Sequence, residues 1–324
     1  MTAAAVEILS PAALDDLIAA PTARGDLSAL RGPAIIAVDC STAVPHIRTL
    51  EALRSLPLVT VGVGGHHQAF DVVVDDEGQL SVLANAVAAC PQASVTLVQV
   101  LRMSDTLSQL DALVAESLAY ATLQGGGEFA RWLAHRGTRV RRPEPTPPVV
   151  VTRDDDRLCI QLSRPRIHNL YNAAMRDALV EALVVAAADP QLRVEISGAG
   201  RSFCAGGDLA EFGTFSDAAT AHLIRSSANA APYLLAVADR ITVQAHGACV
   251  GAGIELAAFA SRVNASPDAF FQLPEVSMGL IPGAGGTVSI TARIGRQRTA
   301  WMALTGERID APNALRWGLV DSVD

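Results

Sequence analysis

The chain has 324 residues, 50% of them hydrophobic and 18% charged, with a formal net charge of −8; such a composition suits a globular protein of roughly two domains, at about 150 residues each. All 25 basic residues are arginine, and an acidic chain without a basic tract argues against nucleic-acid binding while allowing an anionic small ligand held by a few arginines. Cys40, Cys90, Cys159, Cys204 and Cys249 are scattered, with no Cys-x-x-Cys pair, as expected of reduced thiols in a cytoplasmic protein rather than of disulfides or a zinc site.

The opening "MTAAAVEILSPAALDDLIAA" has no basic n-region and carries acids inside its apolar part, so it does not read as a signal peptide. No stretch approaches the roughly 20 apolar residues of a membrane span. "AIIAVDC" and "LVTVGVG" are β-branched runs that predict buried strands, with "TLEALRSL" helical between them and "FDVVVDD" as a third strand. The adjacent histidines of "GGHHQAF" have no matching acid or cysteine spacing for a metal, which favours a surface loop. From Ser81 to Arg136 the apolar residues recur at three- and four-residue spacing, predicting helices with a break at "GGG". "RGTRVRRPEPTPPVV" then places four prolines among arginines, a linker incompatible with regular structure.

Beyond the linker, strand and helix signals alternate, which favours an α/β architecture. "RLCIQLS", "LRVEIS" and "ITVQAHGACV" predict strands. "NAAMRDALVEALVVAAAD" predicts a helix capped near Asn172, and "HLIRSSANAAPYLLAVAD" a helix interrupted at Pro232. "GAGIELAAFASRV" predicts a helix entered directly from a strand.

Three glycine-rich stretches are candidates for chemistry. In "FCAGGDL" the N–H groups of Ala205 to Gly207 can face an anion or a developing oxyanion, although one such loop alone reads better as a plain turn. In "AHGACVGAGIELAAF", Ala252 offers an N–H from a first helical turn, and Glu255, three residues on, shares its face. Glu255 would equally well be a first-turn acid complementing the helix dipole. In "LPEVSMGLIPGAGGT", Glu275 follows Pro274 at a helix start and "PGAGG" supplies further free N–H groups. None of these loops fits a dinucleotide fingerprint or a phosphate loop. Cys204 beside the first loop has no paired histidine in sequence, so packing is favoured over a nucleophile.

The ordered set "SRPRIHNLYN", "GAGRSFCAGGDL", "AHGACVGAGIELA", "LPEVSMGLIPGAGGT" and "LTGERIDAPNALRWGLVD" resembles the crotonase family, the enoyl-CoA hydratases and isomerases. The resemblance implies an α/β fold: a crotonase-like spiral ββα core over residues 149–324. It implies that the N–H groups of Ala205 and Ala252 hold a thioester carbonyl, that Glu255 and Glu275 are the hydratase carboxylates, and that the Gly283 N–H helps to place water. Ala252 stands where the family often has glycine, but the donor is backbone and survives the change. The resemblance further implies that Arg166 and His168, with Ala205, Gly206, Gly207 and Asp208, grip the coenzyme A moiety. It implies a reaction without metal or redox cofactor, coenzyme A entering only as part of an acyl-CoA thioester, and a homo-oligomer, trimer or hexamer.

The chain ends at "GLVDSVD", where family members continue with covering helices. Residues 81–136 resemble that helical tail, with the long helix carrying Glu116 and a short helix ending in "WLAHR". The expected organisation is therefore a small α/β segment over 1–80, possible remnant of a crotonase core, the displaced tail over 81–136, a linker over 137–148, and the catalytic core over 149–324. The expected function is enoyl-CoA hydration, a lyase reaction, with enoyl-CoA isomerisation or other thioester-enolate chemistry as one alternative and non-catalytic acyl-CoA binding as another.

Overall fold

Each half of the chain is built on a parallel sheet. The computed structural model describes residues 6–137, 147–214 and 217–324; most of the expected linker, 138–146, lies outside the described residues. In the first half, β1 (Ile8–Leu9), α1 (Pro11–Ala19), α2 (Ala23–Asp26), β2 (Ile35–Asp39), α3 (Ile47–Leu53), β3 (Val59–Val63) and β4 (Val72–Val74) form one unit. Its four strands lie side by side in chain order, all parallel. A parallel sheet is covered on both faces, so its strands are apolar throughout. Alternation then divides β2: Ile36 and Val38 pack with Leu14 of α1 and Leu50 and Leu53 of α3, while Ile35 and Ala37 join the main core.

Four helices follow: α4 (Glu77–Ala89), α5 (Pro91–Ser104), α6 (Gln109–Gln124) and α7 (Gly127–Arg136). Helix α4 starts before the expected boundary at 80/81, which therefore falls inside a helix. The reason is a capping box at "DDEGQ": Asp76 Oδ1 accepts the Gln79 N–H at 2.9 Å, and Gln79 Oε1 accepts the Asp75 N–H at 2.9 Å. Pro91 opens α5, where its missing N–H is no loss, and the Ser108 side chain caps α6.

The second half contains β5 (Val149–Asp154), β6 (Arg157–Leu162), α8 (Ala173–Ala188), β7 (Arg193–Gly198), α9 (Ala218–Ala228), α10 (Ala231–Ala236), β8 (Ile241–Ala245), β9 (Ala248–Val250), α11 (Ala252–Ala257), β10 (Arg262–Ala265), β11 (Phe270–Gln272), α12 (Gly286–Thr305), β12 (Ile309–Asp310), α13 (Ala311–Trp317) and β13 (Ser322–Val323). A six-stranded sheet runs β13-β10-β8-β7-β6-β5, parallel except for the β5–β6 hairpin. A second sheet, β12-β11-β9, stands apart from it. The run "ITVQAHGACV", expected as one strand, is thus two strands in two sheets, separated at Gly247. Pro232 does not kink one long helix; it sits in the first turn of α10, a separate helix.

The halves share one hydrophobic core, in which α4, α5 and α6 pack on α12 and α6 packs on α9. A buried ion cluster joins them as well. Asp71, beside β4, pairs with Arg102 of α5 (Oδ1 to Nε, 2.8 Å) and Arg296 of α12 (Oδ1 to Nη1, 3.1 Å), and accepts the Thr60 N–H of β3 at 2.9 Å. Arg102 also donates to the carbonyls of Leu56 and Leu58 at 2.7 and 2.8 Å. The charges are therefore hydrogen-bonded on every side, the condition under which burying them is tolerable.

Candidate active site

Strand β9 delivers the chain to Gly251, which turns it straight into α11. Gly251 has φ +49°, and a side chain here would strike Glu275 Oε1, so glycine is demanded twice. Ala252 is the first residue of α11, where an N–H has no acceptor within the helix. Glu255 follows one turn on, buried, and lines the same cavity as Ala252.

A cavity of about 220 Å³ opens in front of these groups, lined among others by Gly207, Ala252, Glu255, Glu275 and Gly283. Among the described residues, the N–H groups of Gly207, Ala252 and Gly283 have no acceptor. They are donors held ready beside two carboxyls, an arrangement suited to stabilising negative charge on a bound oxygen.

The carboxyls are held differently. Glu255 Oε2 accepts the N–H groups of Ala284 (2.7 Å) and Gly286 (3.0 Å). Glu275 Oε2 is buried with no hydrogen-bond partner in the protein. Burial raises both pKa values: Glu275 reaches about 8, and Glu255 rises well above the usual carboxyl range, pushed further by the charges of Glu275 and Glu116.

Glu116, from α6 in the first half, is the third carboxyl. It accepts the Gly285 N–H (2.8 Å), the Thr287 N–H (2.9 Å) and the Thr287 hydroxyl (2.7 Å), and burial lifts its pKa to about 7. Helix α12 has Gly285 at its N-cap and no side-chain cap of its own. Glu255 and Glu116 thus take alternate N–H groups at its start and satisfy donors that would otherwise be orphaned.

Tyr120, one turn beyond Glu116 on α6, forms another wall. Any side chain at 283 would enter its ring, so Gly283 permits the contact. Arg225 of α9 lies over the same ring, 4.4 Å from its centroid. Neither Tyr120 nor Arg225 was singled out in the sequence. Tyr120 had a signal, because it stands four residues after Glu116 and so shares its helix face. Arg225 had none, since only the packing of α9 on α6 brings it there.

Of the expected site residues, Glu255, Glu275, Ala252, Gly283 and Gly207 meet in the cavity. Ala205 does not. Its N–H is spent on the His168 carbonyl at 2.9 Å, so the donor expected there moves two residues on, to Gly207. Gly206 is buried against Val250 and gives its carbonyl to the Tyr171 N–H. Asp208 is engaged by Arg164 at 3.0 Å and accepts the Ala210 N–H at 3.1 Å, which makes it a brace of the loop rather than a free ligand group. Arg166 and His168 are exposed and lie outside the cavity, with His168 Nδ1 3.1 Å from Ser202 Oγ. Cys204 is fully buried, and burial pushes its thiol up to about 12, so it packs and supplies no thiolate. Among the described residues no cluster of His, Cys, Asp and Glu is placed to hold a metal, and no single helix is long and apolar enough to cross a membrane.

Residues 156–324 match the sequence profile described as enoyl-CoA hydratase/isomerase. The 2,3-dehydroadipyl-CoA hydratase of Escherichia coli (strain K12) is 37% identical over 54% of this chain and 68% of its own length. The chain belongs to the enoyl-CoA hydratase/isomerase family. Among solved structures, the enoyl-CoA hydratase of Thermoplasma volcanium GSS1 superposes with a TM-score of 0.52 at 32% identity, covering 55% of this chain and 72% of that one. A putative enoyl-CoA hydratase of Thermobifida fusca YX, solved in complex with acetoacetyl-CoA, gives a TM-score of 0.50 at 25% identity, covering 55% of this chain and 73% of that one. The second half is accordingly a crotonase-type core, the α/β architecture implied by its five motifs.

Proposed function

We propose that this chain hydrates the 2,3-double bond of an acyl-CoA thioester. The observation that carries the reading is the meeting, in one small cavity, of three unpaired N–H groups and two buried carboxyls. Gly207 and Ala252 would receive the thioester oxygen. As water adds at C3, electrons shift toward that oxygen, and two aligned donors stabilise the enolate that forms. Glu255, on which the Ala284 and Gly286 N–H groups oppose the burial that raises its pKa, accepts a proton from the attacking water. Glu275, kept protonated by burial to about pH 8, delivers a proton to C2 as the enolate collapses. Water is consumed whole, with its oxygen on C3 and a net hydrogen on C2, and return of one proton from Glu255 to Glu275 restores both carboxyls. The Gly283 N–H helps to orient that water. Arg166 and His168 grip the coenzyme A portion outside the cavity, and the helices over 81–136 cover the site as a tail would, with Tyr120 closing the wall.

The test is loss of the conjugated-thioester absorbance when purified protein meets a short trans-2-enoyl-CoA, with Glu275→Gln as the control. Decay that vanishes in the control supports hydration. Binding without decay of either a plain or an ω-carboxylated trans-2-enoyl-CoA excludes it. Glu255→Gln separates hydration from double-bond shift: hydration collapses, whereas an isomerisation working through Glu275 alone survives.

A further inference from the structure

Three of the residues on the cavity wall outside the catalytic group are charged: Arg176, Glu211 and Arg225. Two are committed. Arg176 pairs with the neighbouring Asp177 at 2.7 Å, and Glu211 accepts the Ala173 N–H at 2.9 Å. Arg225 is different. Among the described residues, no carboxylate lies within ion-pairing distance of it. Its guanidinium is nevertheless largely withdrawn from water, enough to lower its pKa.

Neutral groups aim it. Nη2 donates to Gln124 Oε1 at 3.0 Å, Nε donates to Ser117 Oγ at 3.3 Å, and the plane rests over the Tyr120 ring. Glu116 is near enough to be felt, but its oxygens are taken by Gly285 and Thr287. A guanidinium fixed on one edge and unneutralised on the other is built for a planar anion, because its parallel N–H groups match the two oxygens of a carboxylate. The Arg225 side chain reaches the cavity from α9 and lines the same cavity as Gly207 and Ala252, where the thioester is placed.

We propose that the acyl chain of the substrate ends in a second carboxylate, which Arg225 receives. The inference rests on the thioester reading above. The preferred substrate is then a short dicarboxylic monothioester, since a cavity of about 220 Å³ lies below the roughly 300–1,000 Å³ usual for ligand sites. Coenzyme A also offers phosphates to an arginine, so the test must hold that moiety constant.

Adipyl-CoA and hexanoyl-CoA share coenzyme A and a six-carbon chain and differ in the terminal carboxylate. Both are saturated, so calorimetric binding reads recognition without turnover. Adipyl-CoA is expected to bind the full-length protein about tenfold or more tighter, with that ratio falling to near one in Arg225→Gln. Arg225→Lys keeps the charge, loses the fork and should retain only part of the ratio. Should Arg225→Gln not fold, the wild-type ratio and the lysine variant still decide. Equal affinities, or a preference that persists in Arg225→Gln, overturn the carboxylate assignment and leave the thioester site standing. Binding of neither compound removes the thioester site and this inference with it.

Discussion

Glu116→Gln tests the link between the first half and the loop that opens α12. The glutamate oxygens take three hydrogen bonds from Gly285 and Thr287 at full burial. Even a protonated carboxyl keeps two oxygens that can accept, whereas an amide has one acceptor oxygen and an NH2 that cannot accept, so at least one buried N–H loses its partner, at about 1–3 kcal/mol. A second effect opposes this one. Burial lifts the Glu116 pKa from 4.5 to about 7, so the native state holds a proton that the unfolded chain releases. A folded-state pKa raised in this way contributes stability that is complete below the unfolded value near 4.5 and is lost as the pH climbs through 7. The difference of about 2.5 units corresponds to about 3 kcal/mol of wild-type stability lost between pH 4.5 and pH 8. Glutamine does not titrate and escapes that loss. The substitution should therefore destabilise by about 1–3 kcal/mol at pH 5 and be close to neutral, or stabilising, at pH 8. Denaturant unfolding of both proteins at the two pH values, followed by two spectroscopic probes to check two-state behaviour, gives the double difference. A penalty of equal size at pH 5 and pH 8 would show that Glu116 does not titrate in this window and would refute the reasoning.

Three further expectations follow from the same geometry. If Glu275 is the proton donor, kcat/KM for an enoyl-CoA should fall along a basic limb near pH 8, as the group with pKa of about 8 loses its proton; a profile flat to pH 9.5 would exclude that role. Ala252→Pro removes one N–H at the first helical position, where proline is tolerated; turnover should drop about 100- to 1,000-fold with little change in melting temperature, and a loss smaller than tenfold would place the oxyanion elsewhere. Asp71→Asn leaves Arg102 and Arg296 buried without their shared anion and should cost about 3–5 kcal/mol in a denaturant titration; a cost below about 1 kcal/mol would mean that the cluster contributes little.

The legibility of this chain depended on how far apart the cooperating residues lie. Ala252 and Glu255 could be read together because a helix puts positions three apart on one face, and the strands could be read because buried parallel strands are apolar throughout. Ala205 shows the limit. In a run of small residues, sequence cannot tell which N–H the loop consumes for its own folding, and the His168 carbonyl takes that of Ala205. The boundary at 80/81 failed for a related reason: the apolar periodicity begins after the capping box at Asp76 and Gln79 that starts the helix. Arg225 and the Asp71 cluster were invisible because each depends on contacts between segments far apart in the chain.

The start of α12 explains why the first half matters to the chemistry. A helix that begins with glycines can bring its backbone close to a substrate, but it then has no side chain with which to cap itself. Here the caps are imported. Glu255 supplies one from the adjacent helix, and Glu116 supplies the other from 169 residues away along the chain. Each fixes alternate N–H groups of the same loop, so the position of Glu255 in the cavity depends on how Glu116 holds Gly285 and Thr287. The same helix α6 carries Tyr120 against Gly283 and steadies Arg225. The proposed catalytic carboxyl, the cavity wall and the proposed anion receptor are thus set by one helix that precedes the crotonase-type core in sequence. Changes on the buried face of α6 should consequently alter turnover and substrate choice together, whereas changes on its exposed face should alter neither.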